Sequence, residues 1–138
     1  MNKWTFSLII SLAQILCAEF AFASSQDEHQ IAAVMKQQFG KTDSPIAVDP
    51  IAIEGNYAVA DWLQSGRGGR TLLHKLKGQW FILICGGHGL TEADVLEAIG
   101  MKRAAAIRLA TTLRLAESKL SPSNRKLADG FEGMVKLD

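Results

Sequence analysis

Cysteine, proline and surplus charge are all scarce in this 138-residue chain, and each scarcity excludes a class of protein. There are 2 Cys and 3 Pro, and 15 Lys+Arg stand against 14 Asp+Glu, a formal charge of +1. Two cysteines cannot build a multi-bridge disulfide framework. Three prolines with 12 Gly are too few for a collagen-like or low-complexity chain. So even a balance of charge leaves no electrostatic footprint for a polyanion, so nucleic acid is not an expected partner. What is present, 48% apolar and 21% charged residues, is the usage of one folded domain.

The first residues read as an export signal. Met1-Asn2-Lys3 supplies a basic start, Trp4 to Ala18 an apolar core broken only by Thr5, Ser7, Ser11 and Gln14, and Ala21-Phe22-Ala23 a small-x-small site. The core is shorter than the ~20 apolar residues that a membrane-spanning helix needs. The expected cut falls after Ala23, leaving a single domain over residues 24–138, a periplasmic location and no stable membrane insertion. Cys17 leaves with the signal, and because Leu16 precedes it instead of a small residue, it is not a lipidation site. Cys85 then stands alone in an oxidising compartment, where an unpaired thiol is buried, bridged to another chain, bound to something or reactive.

Periodicity outlines an α+β fold. Ser25-x-x-Glu28 is a capping box ahead of Ile31, Val34, Met35 and Phe39, so a helix is expected over 26–39 with Gly40 as its end. From Ile46 the period drops to two. Asp49-Pro50 interrupts the first strand and marks it as an edge, since proline donates nothing to a ladder. Tyr57–Gln64 is the second strand, Ser65–Gly69 a glycine-rich connection with two solvated arginines, Arg67 and Arg70, and Arg70–Lys77 the third strand. Gly78-Gln79 reads as a two-residue turn. The fourth strand, Trp80–Cys85, is apolar throughout, which requires cover on both faces. Helices follow from Thr91 to Ile99 and from Lys102 to Leu120, then a short turn capped by Ser123 after Pro122, and Gly130–Val135 closes the chain as a candidate short strand outside the four-stranded meander. The expected architecture is an N-terminal helix, a four-stranded antiparallel meander, and C-terminal helices packed on the sheet.

Few side chains offer chemistry. A turn at Gly78-Gln79 opposes Lys77 to Trp80, Leu76 to Phe81, His74 to Leu83 and Leu72 to Cys85, which places His74 and Cys85 on one sheet face, their Cβ atoms roughly 7 Å apart. His88 follows Cys85 in a Cys-x-x-His spacing across two glycines. A thiolate with imidazoles, and Met35 or Met134 as thioethers, suits copper or zinc over calcium or magnesium. Against this stands a plain reading: Cys85 a buried strand residue, His74 half-buried, His88 in a loop. Cys85 and His88 also resemble a nucleophile and its base, but no orienting acid or amide lies near His88 in sequence. Gly66-Arg67-Gly68-Gly69-Arg70 is no phosphate loop, because it joins two strands and lacks the Gly-Lys-Ser/Thr ending. Between Lys102 and Lys126 seven bases face one acid, Glu117, which reads either as a solvated helix face or as a surface for an acidic partner or an anionic membrane.

With these residues in view, most of residues 26–138 resembles the family of small exported bacterial proteins described as copper uptake system-associated proteins. The resemblance is carried by the N-terminal helix, Asp61-Trp62, Gly69-Arg70, the run Gly78-Gln79-Trp80 through Cys85-Gly86-Gly87, the Ala/Leu-rich helix with Glu117, and Phe131-Glu132-Gly133-Met134-Val135. It implies a periplasmic role in copper handling beside a copper transporter, with no enzyme activity. His88 departs from the polar or acidic residues that follow the Cys-Gly pair in similar proteins, and no His- or Met-rich tail follows Val135. The expectation is therefore a non-enzymatic protein that binds Cu(I) through Cys85, with His74 and His88 as secondary ligands, and passes it to or from a copper transporter or periplasmic chaperone. The alternative is a periplasmic protein–protein interaction module with a buried structural cysteine and no metal; a thiol enzyme is third.

Overall fold

The structure, a computed structural model, describes residues 25–137; the expected signal peptide and its cut after Ala23 lie outside the described residues. α1 covers residues 25–39 and stops at Gly40, whose N–H donates to the carbonyl of Lys36 at 2.9 Å. Four strands then run as an antiparallel meander: β1 (Ala47–Glu54), β2 (Tyr57–Gln64), β3 (Arg67–Leu76) and β4 (Gln79–Gly86). A 3-10 turn, His88–Thr91, leads into α2 (Ala93–Ile99), α3 (Arg103–Glu117) and α4 (Pro122–Asp129). A fifth strand, β5 (Met134–Lys136), pairs antiparallel with the end of β4, so the sheet has the order β1-β2-β3-β4-β5 and not the four strands expected. β1 is an edge, as Pro50 requires, and its register slips between Val48 and Ile51.

Alternation sorts the sheet into two faces. Ala58, Ala60, Leu73, Trp80 and Ile82 pack with Ile31 and Val34 of α1. Ala52, Val59, Leu72, Leu83 and Ile84 pack with Leu96 of α2 and with Ala106, Leu109, Ala110 and Leu113 of α3. β4 is thus covered on both sides, the condition its apolar composition imposes, although Phe81 stays exposed near the hairpin end. Asp27 fastens the start of α1 to the sheet, accepting hydrogen bonds from Lys75 Nζ at 2.7 Å and Trp80 Nε1 at 3.0 Å.

Three local expectations are corrected. The β3–β4 turn is Lys77-Gly78, both with positive φ (49° and 77°), the pattern of a type I′ hairpin, and Leu76 therefore faces Gln79. The connection before β3 shrinks to Ser65-Gly66, because Gly68 and Gly69 are strand residues whose bare backbones admit close neighbours: a Cβ on Gly68 would lie 2.9 Å from the Leu127 backbone, and one on Gly69 2.7 Å from the Trp62 ring. Pro122 starts α4 instead of only ending α3, with Ser121, not Ser123, as the cap, its Oγ accepting from the Asn124 N–H at 3.2 Å.

Candidate functional site

The residues proposed as copper ligands are not brought together. Up to Ile82 the β3–β4 pairing keeps the expected alternation, His74 opposing Phe81 and Leu73 opposing Ile82. Leu72 then pairs with Ile84, so Leu83 is an extra residue, a bulge that turns Leu83 and Ile84 onto the same apolar cluster. One inserted residue reverses the facing of everything beyond it. Cys85 consequently pairs with Thr71, on the α1 face, while His74, three positions from Thr71 along β3, lies on the opposite face. There its ring stacks on Tyr57, centroids 4.3 Å apart and planes at 12°.

His88 opens the 3-10 turn with its side chain 70% exposed, Nε2 3.4 Å from Glu92 Oε1 and Nδ1 3.6 Å from Asp129 Oδ1. Its two nitrogens address two different carboxylates on two sides of one ring. Met35 is buried in α1, and Met134 pairs with Gly86, one position out of phase with the Val135–Cys85 pair, and so faces away from the thiol. Among the described residues no group of three or more His, Cys, Asp and Glu side chains is placed to hold a metal ion.

Cys85 is buried at 7% exposure and unbridged. Burial pushes its thiol up, and the only counterweight is Thr71, whose Oγ1 is 3.5 Å from Sγ. A hydroxyl stands where a nucleophilic cysteine needs an imidazole, and the thiol stays protonated at neutral pH. It lines an apolar cavity of about 200 Å³ together with Phe39, Ile46, Trp62, Phe131, Val135 and Leu137.

Trp62 and Phe131 also form a wall of a second, open depression. Their rings meet edge to face, centroids 6.0 Å apart at 78°. On the far side lies a groove of about 1020 Å³ between the β2–β3 turn and α4, lined by Arg67, Ser123, Lys126, Leu127 and Glu132 among others. The indole Nε1–H of Trp62 is buried and has no acceptor. Gln64 braces this end, donating through Nε2 to the carbonyls of Phe39 at 2.9 Å and Ser44 at 2.7 Å.

The largest departure from expectation is Arg70, which is not solvated but 1% exposed beneath α3 and α4. Its Nε and Nη2 donate to the two oxygens of Glu117 at 2.6 and 3.1 Å, and Nη1 donates to Asp129 Oδ1 at 2.8 Å and to the Ala128 carbonyl at 3.3 Å. Asp61, directly across the β2–β3 ladder, has its Oδ1 3.6 Å from Arg70 Nε. Burial raises the Asp61 carboxyl to about 8, and the negative charge of the neighbouring Glu117 pushes the same way. Both Asp61 oxygens are buried without a hydrogen-bond partner among the described residues, and with Asp61 neutral at pH 7 one guanidinium lies between two carboxylates, Glu117 and Asp129. Two signals for this cluster exist in the chain: Glu117 continues the inward Leu109, Leu113 register of α3, and the two-residue turn Ser65-Gly66 sets Asp61 opposite Arg70. The cluster clamps α3 and α4 to the sheet. Comparison with protein-family models, with curated proteins and with solved structures finds no significant match to this chain.

Proposed function

We propose that this chain is an exported, non-catalytic binding protein that serves copper acquisition by contact with a transporter or periplasmic chaperone, and that it does not itself carry Cu(I) on Cys85. The copper setting comes from the resemblance of residues 26–138. The mode of action is supported by one observation above the others: the bulge at Leu83 sets Cys85 and His74 on opposite sheet faces, so the thiol is left with a hydroxyl and apolar walls around it. A single protonated thiol lacks the second soft ligand that Cu(I) transfer requires.

Anaerobic Cu(I) competition titration of the purified protein against its Cys85→Ser variant tests this reading. Equal, weak uptake by both proteins is expected. One-to-one binding that disappears in the variant would overturn it in favour of a Cys85 copper carrier. The copper setting has its own check: deleting the gene in its host should lower cellular copper under limitation, with the Cys85→Ser variant restoring it as well as the unaltered protein does. Unchanged copper content in the deletion strain would sink the link to copper altogether.

A further inference from the structure

We infer that the groove beside Trp62 and Phe131 is the docking site for an acidic, extended segment of a partner protein, one that sets an apolar side chain against the two rings. This deepens the contact reading above and rests on it. The argument begins with which cations are already neutralised. Arg70 is held by Glu117 and Asp129, Arg103 by Asp94 and Glu97, and Arg108 by Glu54. Arg67 and Lys126 are exposed, line the groove from opposite walls, and have no ion-pair partner among the described residues. Ser123 brings the first turn of α4 to the same wall, and that turn contains no acidic residue, so the positive end of the helix adds to the two cations. Glu132 is the one carboxylate in the lining.

Two further features select the kind of occupant. At about 1020 Å³ the groove lies at the upper end of the ~300–1,000 Å³ range of small-molecule sites and has room for a length of chain. The Trp62–Phe131 pair supplies an aromatic step at its edge, the residue type that anchors protein contacts. A bilayer surface fits less well, because both cations sit on the walls of a concavity that a flat layer of headgroups does not enter.

The test uses the purified protein and dye-labelled acetyl-Glu-Glu-Phe-Glu-Glu-amide, read by fluorescence anisotropy, with the corresponding glutamine peptide for comparison and anionic phosphatidylglycerol vesicles in a parallel sedimentation arm. The acidic peptide should bind at least about tenfold more tightly than the glutamine peptide and weaken by a similar factor in high salt. The double reversal Arg67→Glu with Lys126→Glu should abolish that preference, whereas reversal of an exposed lysine on α1, Lys36→Glu, should leave it intact; circular dichroism confirms that each variant is folded. Equal binding of the two peptides, no binding, or an acidic-peptide preference that survives the double reversal would overturn the proposal, as would vesicle binding without peptide binding. Cys85-dependent copper uptake bears on the contact reading alone and leaves the peptide result standing on its own.

Discussion

At the scale of single residues, Arg70 and Cys85 exchange the roles that their types suggest. A guanidinium at 1% exposure is tolerable only because its donors are matched to Glu117, Asp129 and a carbonyl. Removing it strands Glu117 in the interior, so Arg70→Met is expected to cost about 3–5 kcal/mol in urea unfolding. Arg70→Lys should recover only part of that, since an ammonium cannot engage both Glu117 oxygens in one plane. Cys85, by contrast, behaves as a small core residue with a wall on an apolar cavity. Its thiol should react with a maleimide slowly at pH 7.5 and rapidly once denaturant is added, whereas a fast-reacting thiol in the folded protein would contradict the burial described. Cys85→Ser should lower stability by about 1–2 kcal/mol, because a hydroxyl sits badly among apolar walls even with Thr71 beside it.

At the scale of elements, two features decide what the sheet presents. The first is the bulge at Leu83, which places Leu83 and Ile84 together on the α2–α3 side and thereby sends Cys85 to the α1 side. The second is the approach of α4 to β3, close enough that a Cβ on Gly68 would lie 2.9 Å from the Leu127 carbonyl and 2.8 Å from the Leu63 side chain. The Leu127 backbone cannot yield as a side-chain tip would. Gly68→Ala should therefore cost about 1–3 kcal/mol through overpacking. It should also speed amide hydrogen exchange in α4 while leaving α1, on the other face, unchanged. Equal loss of protection in both helices would show that α4 is not the element displaced.

At the scale of the whole molecule, the Arg70 cluster ties stability to pH. In the unfolded chain Asp61 titrates at its ordinary 3.8, and in the folded protein at about 8. The folded state therefore holds the proton more tightly, so the stability that neutral Asp61 contributes is complete below about pH 4, declines as pH rises, and is gone above about pH 8. The Tm should accordingly fall between pH 6 and pH 9. Asp61→Asn keeps a neutral group of the same shape, so its Tm should be flatter across that window and within a few degrees of the unaltered protein at pH 6. A wild-type Tm that rises between pH 6 and pH 9 would show that Asp61 is ionised in the fold. Because Arg70 joins β3 to both α3 and α4, the same measurement reports on the docking of α3 and of α4, the helix that frames the groove.

Taken alone, the order of residues determined the α+β class, the run of helix, meander and helices, the edge position of β1 and the two-sided cover of β4. Those features follow from periodicity, from proline and from capping, which act over a few residues. It did not reveal how Cys85, His74 and His88 are placed relative to one another, or the buried charges. The facing of Cys85 depends on one bulged residue, and an apolar strand reads the same with or without it, since both registers bury apolar side chains. Arg70, Glu117 and Asp129 are separated along the chain by 47 and 59 positions from arginine to acid, so nothing local distinguishes a solvated base from a buried one. Only packing settles the difference, because a charge enters the interior when partners from distant elements arrive with it, and those arrivals are a property of the folded molecule.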